Sequence, residues 1–147
     1  QFTLIGKISE DMNKLVLDVP ENLCFLGQKN KDEIQKRLLE ADIFIFLSHS
    51  EGFPNAVLEA MASGLSVIGT NVGAMSEMID EGKGGFLVEV GDLKSAENKI
   101  KELSKDFFLR QSMGQHNRNK ALQEYTYDTI IGKLTNTYDN LLASVKK

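Results

Sequence analysis

Residues 43–64 read IFIFLSHSEGFPNAVLEAMASG. The apolar run 43–47 is too short for a helix and suits a strand covered on both faces, whereas Val57, Leu58 and Met61 recur along one helical stripe. A strand therefore hands over to a helix across a polar loop, and Gly64 ends the helix. The same alternation extends in both directions. Further strands are predicted over 2–6, 23–26, 66–69 and 85–88, and a helix over 31–41 places Ile34, Leu38 and Leu39 on one face. Short strands alternating with helices are the pattern of βαβ units around a parallel sheet, so the expected class is α/β. After Val88 the strand pattern stops. Segments 92–103, 107–122 and 128–145 read as three helices, and the last repeats Ile130, Ile131, Leu134, Tyr138, Leu141, Leu142 and Val145 as an apolar stripe. Phe107 and Phe108 are expected to pack under the sheet. No linker or repeat interrupts the chain, which suggests one domain over 1–147, with a Rossmann-like α/β part to 124 and a C-terminal helix from 125.

The totals exclude several classes of function. A length of 147 residues fits one globular unit. Seventeen Lys and Arg against twenty-one Asp and Glu give a formal charge of −4, which argues against binding to a nucleic-acid backbone. The single cysteine, Cys24, excludes an internal disulfide and a cysteine metal cage; it is expected to be a small buried hydrophobe. No apolar run approaches the roughly 18 residues that a spanning helix needs. Gln1-Phe2-Thr3 lacks the charged start of a signal peptide, and a reducing, cytoplasmic setting is expected. There is no Asp-X-Asp pattern, no His/Cys ligand spacing and no Gly-X-Ser-X-Gly elbow. His49 and His116 read as solvated, and Asp80, Glu81 and Lys83 as a polar turn.

The chemistry concentrates in the loop after residue 47. Ligands of open parallel sheets bind beyond the carboxyl ends of the strands, which is where this loop begins. Gly52 permits close backbone approach, and Pro54 presets φ at the helix start, so that the N–H groups of Asn55 and Ala56 can point at an anion. Glu51 in the loop and Glu59 one turn beyond Asn55 can bracket an elongated ligand. Each carboxylate accepts two hydrogen bonds, as the adjacent hydroxyls of a ribose or hexose require, while the amides between them suit a diphosphate. These features fit a sugar nucleotide.

The frame Glu51-Gly52-Phe53 with Glu59-Ala60-Met61-Ala62 and Gly64 resembles the signature of the retaining glycosyltransferases of family 4, two glutamates separated by seven residues. Phe25-Leu26-Gly27, Ala41-Asp42-Ile43, Val72-Gly73 with Glu77, and Gly84-Gly85-Phe86-Leu87-Val88 extend the likeness along nearly the whole chain. The family's fold is GT-B, two facing Rossmann-like domains, and the chain is similar to the C-terminal one. The resemblance implies that Glu51 contacts the donor sugar, with Gly52, Phe53 and Pro54 beside it. It implies that Asn55 and Ala56 bind the diphosphate, that Glu59 holds the ribose and that the base rests near Gln28. Transfer is then metal-independent, without a cofactor, from a UDP- or GDP-sugar to a carbohydrate or lipid-linked acceptor held by the N-terminal domain. Ser66 and Ala74 depart from the family's usual Pro and Gly.

The family's domain opens with a further strand and helix bearing a Gly-Arg…Lys pair, whereas this chain starts at what looks like the second strand; Lys7 does not replace that pair. Loss of cations on a leaving diphosphate removes roughly 3 kcal/mol per strong contact, so the segment alone is not expected to be catalytic. The absent strand would lie mid-sheet, which leads to an expectation of self-association. Two other readings remain at this point: a non-catalytic nucleotide- or partner-binding module, and a GT-B sugar-nucleotide epimerase.

Overall fold

The computed structural model describes residues 1–7 and 20–145. It forms two compact units, Gln1–Glu40 and Ala41–Lys147. In the first, β1 (Phe2–Ile5) and β2 (Leu23–Gly27) pair in parallel, with Phe2 opposite Leu23 and a register shift between Leu4 and Ile5. Helix α1 (Lys31–Glu40) follows. Its start is fixed reciprocally: the Glu33 N–H donates to Asn30 Oδ1 at 2.9 Å, and the Asn30 N–H donates to the Glu33 carboxylate at 3.2 Å. The short apolar runs of the sequence all suit strands covered on both faces, but β1 is not covered in this way, because Phe2 is 41% and Leu4 44% exposed. Cys24 is half-buried rather than enclosed. Two strands and the one described helix have too little surface between them to enclose a sheet.

The second unit holds a parallel sheet ordered β3 (Ile43–Phe46), β4 (Ser66–Thr70), β5 (Gly85–Val88). Three parallel strands in sequential order, each joined to the next by a helical crossover, are the arrangement of one half of a doubly wound sheet. The α/β class and parallel pairing expected from the alternation are therefore present. β4 is central and buried along its whole length, as its run Ser-Val-Ile-Gly-Thr allows.

Four helices pack on this sheet, α2 (Asn55–Ala62), α3 (Met75–Met78), α4 (Leu93–Lys105) and α5 (Phe107–Glu124), and α6 (Tyr127–Val145) follows against α5 with its apolar stripe exposed. Successive β4 side chains point to opposite faces, and the core divides accordingly. Val67 joins Val57, Met61, Met75, Met78, Ile79 and Ala121, whereas Ile68 joins Phe86, Leu103 and Met113. Each fully buried Met, Ile or Leu contributes on the order of 1.5–3 kcal/mol.

Helix α2 ends as the sequence predicts. Gly64 has φ +81°, its N–H donates to Met61 O at 2.9 Å, and the Leu65 N–H donates to Ala60 O at 3.1 Å. These are the two bonds of a Schellman motif, for which glycine's tolerance of positive φ is needed. That end meets α5 backbone to backbone, since a β-carbon at Gly114 would lie 1.9 Å from Gly64 O. Three residues on, the fully buried Asn117 donates through Nδ2 to Leu65 O at 2.8 Å and to Gly84 O at 2.6 Å, tying α5 to the turns before β4 and β5.

Phe107 and Phe108 do not pack under the sheet. They are 58% and 79% exposed and meet each other edge to face at 5.6 Å. The Asp106 side chain starts α5 by accepting the Leu109 N–H, and this phase turns Met113, Asn117 and Ala121 inward, leaving the first two positions outside. Among the described residues no helix is long and apolar enough to cross a membrane.

Candidate functional site

The strand-to-helix handover places a loop, residues 47–54, at the carboxyl end of β3. Its first part is tied to β4: Thr70 Oγ1 donates to Ser48 O at 2.5 Å, and Ser48 Oγ donates to Ser50 O at 3.2 Å. Its second part is tied to the turn before α3, where the Ala74 N–H donates to Gly52 O at 2.9 Å. Pro54 is buried and stands at the N-cap of α2 with φ −78° and ψ 100°, one position earlier than the first helical turn. It has no hydroxyl or carboxylate with which to cap the helix.

That choice of residue decides the electrostatics of the helix start. The Val57 and Leu58 N–H groups donate to Pro54 O at 3.0 and 3.3 Å, whereas the Asn55 and Ala56 N–H groups have no partner among the described residues. Both residues are exposed, and the first turn of α2 contains no acidic side chain. Two free amides and an uncompensated positive dipole end therefore face outward, which is an anion-binding arrangement. Glu51 is half-buried just before this mouth, and Glu59 is exposed one turn into the helix. The carboxylates can orient hydroxyl groups while the amides between them hold negative charge.

The sequence model of "Glycosyl transferases group 1" matches residues 4–120. The chain belongs to the group 1 glycosyltransferases. It is 32% identical over 130 residues to N-acetyl-alpha-D-glucosaminyl L-malate synthase of Bacillus anthracis, a match covering 88% of this chain and 34% of that protein. It is 35% identical over 101 residues to the capsular polysaccharide biosynthesis glycosyltransferase CapM of Staphylococcus aureus, covering 69% of this chain and 27% of CapM. The chain thus spans about a third or less of these two relatives. The crystal structure of Anabaena HepE in complex with UDP-glucose superposes with a TM-score of 0.81 at 22% identity, over 94% of this chain and 40% of HepE. The fold is that of a GT-B glycosyltransferase domain.

Within this glycosyltransferase fold, residues 51–56 and Glu59 share one strand-to-helix unit, as the sequence reading expected of them. Gly52 is exposed, and Phe53 is 47% exposed with its ring 5.7 Å from that of Tyr125. Gln28 follows β2 in the Gln1–Glu40 unit and is exposed. His49 is exposed, as expected, beside a shallow hollow that Ser48, Thr70, Val90 and Asp92 also line at the ends of β3, β4 and β5.

The reading of His116 as a surface residue needs correction. It is half-buried, with Nε2 2.7 Å from Asp80 Oδ2. The turn expected at residues 80–83 is present, with the Lys83 and Gly84 N–H groups donating to Asp80 O at 3.0 and 2.8 Å. Its carboxylate does more than solvate the turn. Lys120 Nζ donates to Asp80 Oδ1 at 2.8 Å and to Glu77 O at 2.7 Å. The hydrogen bond from Lys120, and then that from His116, hold the Asp80 carboxyl below the usual aspartate range. Sequence reasoning missed Lys120 and Tyr125. The four-residue spacing of His116 and Lys120 marks a shared helix face, but nothing local reveals Asp80 as the partner of that face.

Proposed function

We propose that residues 51–59 form the donor site of a retaining hexosyltransferase, which moves a sugar from UDP or GDP to a saccharide or lipid-linked acceptor. The setting proposed is cytoplasmic, peripheral to the membrane in the full-length protein, and the pathway class is cell-surface polysaccharide or glycoconjugate synthesis. One observation carries the reading: the Asn55 and Ala56 amides at the mouth of α2, without a partner among the described residues, with Glu51 before them and Glu59 behind. In this reading amides and dipole meet the diphosphate, Glu59 holds the ribose hydroxyls, Glu51 orients the hexose, and the base is assigned to Gln28. The UDP-glucose bound in HepE supports the donor class, and the naming of CapM supports the polysaccharide setting.

In this reading no metal is needed. The bond from the sugar C1 to the donor phosphate oxygen breaks while the acceptor oxygen attacks C1 on the same face. The acceptor's proton passes to the departing phosphate, and the acceptor itself is held by the facing domain of the GT-B pair. Because Glu51 orients rather than attacks, its effect falls on the reacting geometry.

Calorimetry of this chain against UDP- and GDP-sugars tests donor binding, and turnover by the full-length protein, with NMR of the product anomer, tests transfer and retention. Glu51→Ala in the full-length protein is expected to lower turnover at least about tenfold, or about 1.4 kcal/mol. Glu59→Ala is expected to raise the donor Kd. A wild-type rate in the first variant removes Glu51 from the reaction, and an unchanged Kd in the second removes Glu59 from the site.

A further inference from the structure

Residues 51–53 have no regular structure of their own and are held from outside. Against them lies the turn that enters α3. The Ala74 N–H donates to Gly52 O at 2.9 Å, and Gly73, at φ +54°, approaches so closely that a β-carbon there would lie 2.2 Å from Glu51 O. The Tyr125 ring, at the C-cap of α5, supports Phe53 from a second direction, 5.7 Å away and inclined by 55°.

Helix α3 has only four residues, and a single turn cannot hold its place by its own hydrogen bonds. Its buried Met75 and Met78 anchor one face. Its carboxyl end is gripped from α5, where Lys120 Nζ bridges Glu77 O at 2.7 Å and Asp80 Oδ1 at 2.8 Å. The Lys120 side chain is only 11% exposed, and the second oxygen of Asp80 is taken by His116. A continuous set of contacts thus runs from α5 through Asp80 and α3 to the Gly52 carbonyl.

We propose that Lys120, with Asp80 as its partner, is a positioning residue that fixes α3 and through it the loop presenting Glu51. The proposal rests on the donor-site reading above, and the polar partners of Lys120 among the described residues are Glu77 O and Asp80, outside residues 51–59. Removing the ammonium leaves the Glu77 carbonyl and the Asp80 carboxylate without their shared donor. The turn at Gly73 and Ala74 then loosens against Glu51 and Gly52. Asn55, Ala56 and Glu59 stay in place, because α2 is anchored separately by buried Val57, Ala60 and Met61. The loss therefore falls on the reacting geometry more than on donor affinity.

The test uses the full-length protein with Lys120→Met and Lys120→Arg. Lys120→Met is expected to lower kcat about tenfold while the donor KM changes less than about twofold. Amide hydrogen exchange of Ala74, whose N–H donates to Gly52 O, and of residues 75–78 should accelerate while that of β4 stays as in the wild type, and Lys120→Arg should restore both kcat and exchange. Unchanged kcat and unchanged exchange in Lys120→Met overturn the proposal, as does exchange that accelerates equally in β4. Should Lys120→Met fail to fold, Asp80→Asn removes the charge at nearly constant shape and must give the same pattern in weaker form, or the proposal falls. If the wild type neither binds nor turns over UDP- or GDP-sugars, the functional reading fails, and the exchange comparison still decides whether Lys120 sets the loop.

Discussion

At Gly73 and Gly52, two glycines in contact meet opposite requirements. Gly73 has φ +54°, and a β-carbon there would overlap both Glu51 O at 2.2 Å and Gly52 O at 2.6 Å. Any L side chain at 73 is strained by its backbone and displaces the loop that carries Glu51. At Gly52, by contrast, an added β-carbon meets nothing within 4 Å among the described residues. Gly73→Ala is therefore expected to destabilise the fold by about 1–3 kcal/mol, whereas Gly52→Ala leaves thermal stability within about 0.5 kcal/mol. Donor affinity should fall in the Gly52 variant if its bare Cα marks the approach of a ligand. Thermal denaturation and calorimetry on the two variants separate backbone strain from ligand clearance.

Among the secondary-structure elements, those written in local chemistry were legible and those positioned from a distance were not. Helix α2 announces itself through Pro54 at one end, Gly64 at the other and the stripe Val57, Met61 between them, so its bounds agree with the sequence reading to within one residue. Residues 51–59 were legible for the same reason, because the loop and both carboxylates belong to one continuous segment. Helix α3 was not, since four residues span barely one turn and show no period. The phase of α5 was also hidden: its inward face is set by a buried amide, Asn117, that an apolar pattern search passes over. Asn117 serves two carbonyls from different turns, Leu65 O and Gly84 O; truncation takes this donor from both and leaves Gly84 O with the longer bond from the Val67 N–H at 3.2 Å. Asn117→Ala is expected to cost about 2 kcal/mol or more, read as a lower denaturant midpoint with an unchanged m-value.

Over the molecule as a whole, the burial of apolar surface is uneven. Every residue of the buried core, from Val57 to Ala121, belongs to the Ala41–Lys147 unit, and none of the described residues of Gln1–Glu40 is fully buried. Units of about 40 residues seldom bury enough surface to be stable unaided. Amide hydrogens of β1, β2 and α1 are expected to exchange faster than those of β4, and mass spectrometry resolved by peptide measures the difference. Equal protection in the two units would contradict this. Within the larger unit, the meeting of Gly64 with Gly114 acts as the fulcrum of a lever. Helix α2 has eight residues, roughly 12 Å at its rise per residue, and its far end bears the free amides. A bulkier residue at 114 cannot compress a carbonyl oxygen, so the rod must pivot and swing its tip. Tuning of the proposed donor-site mouth is thereby open to substitution at the other end of the helix, where Gly64 meets Gly114.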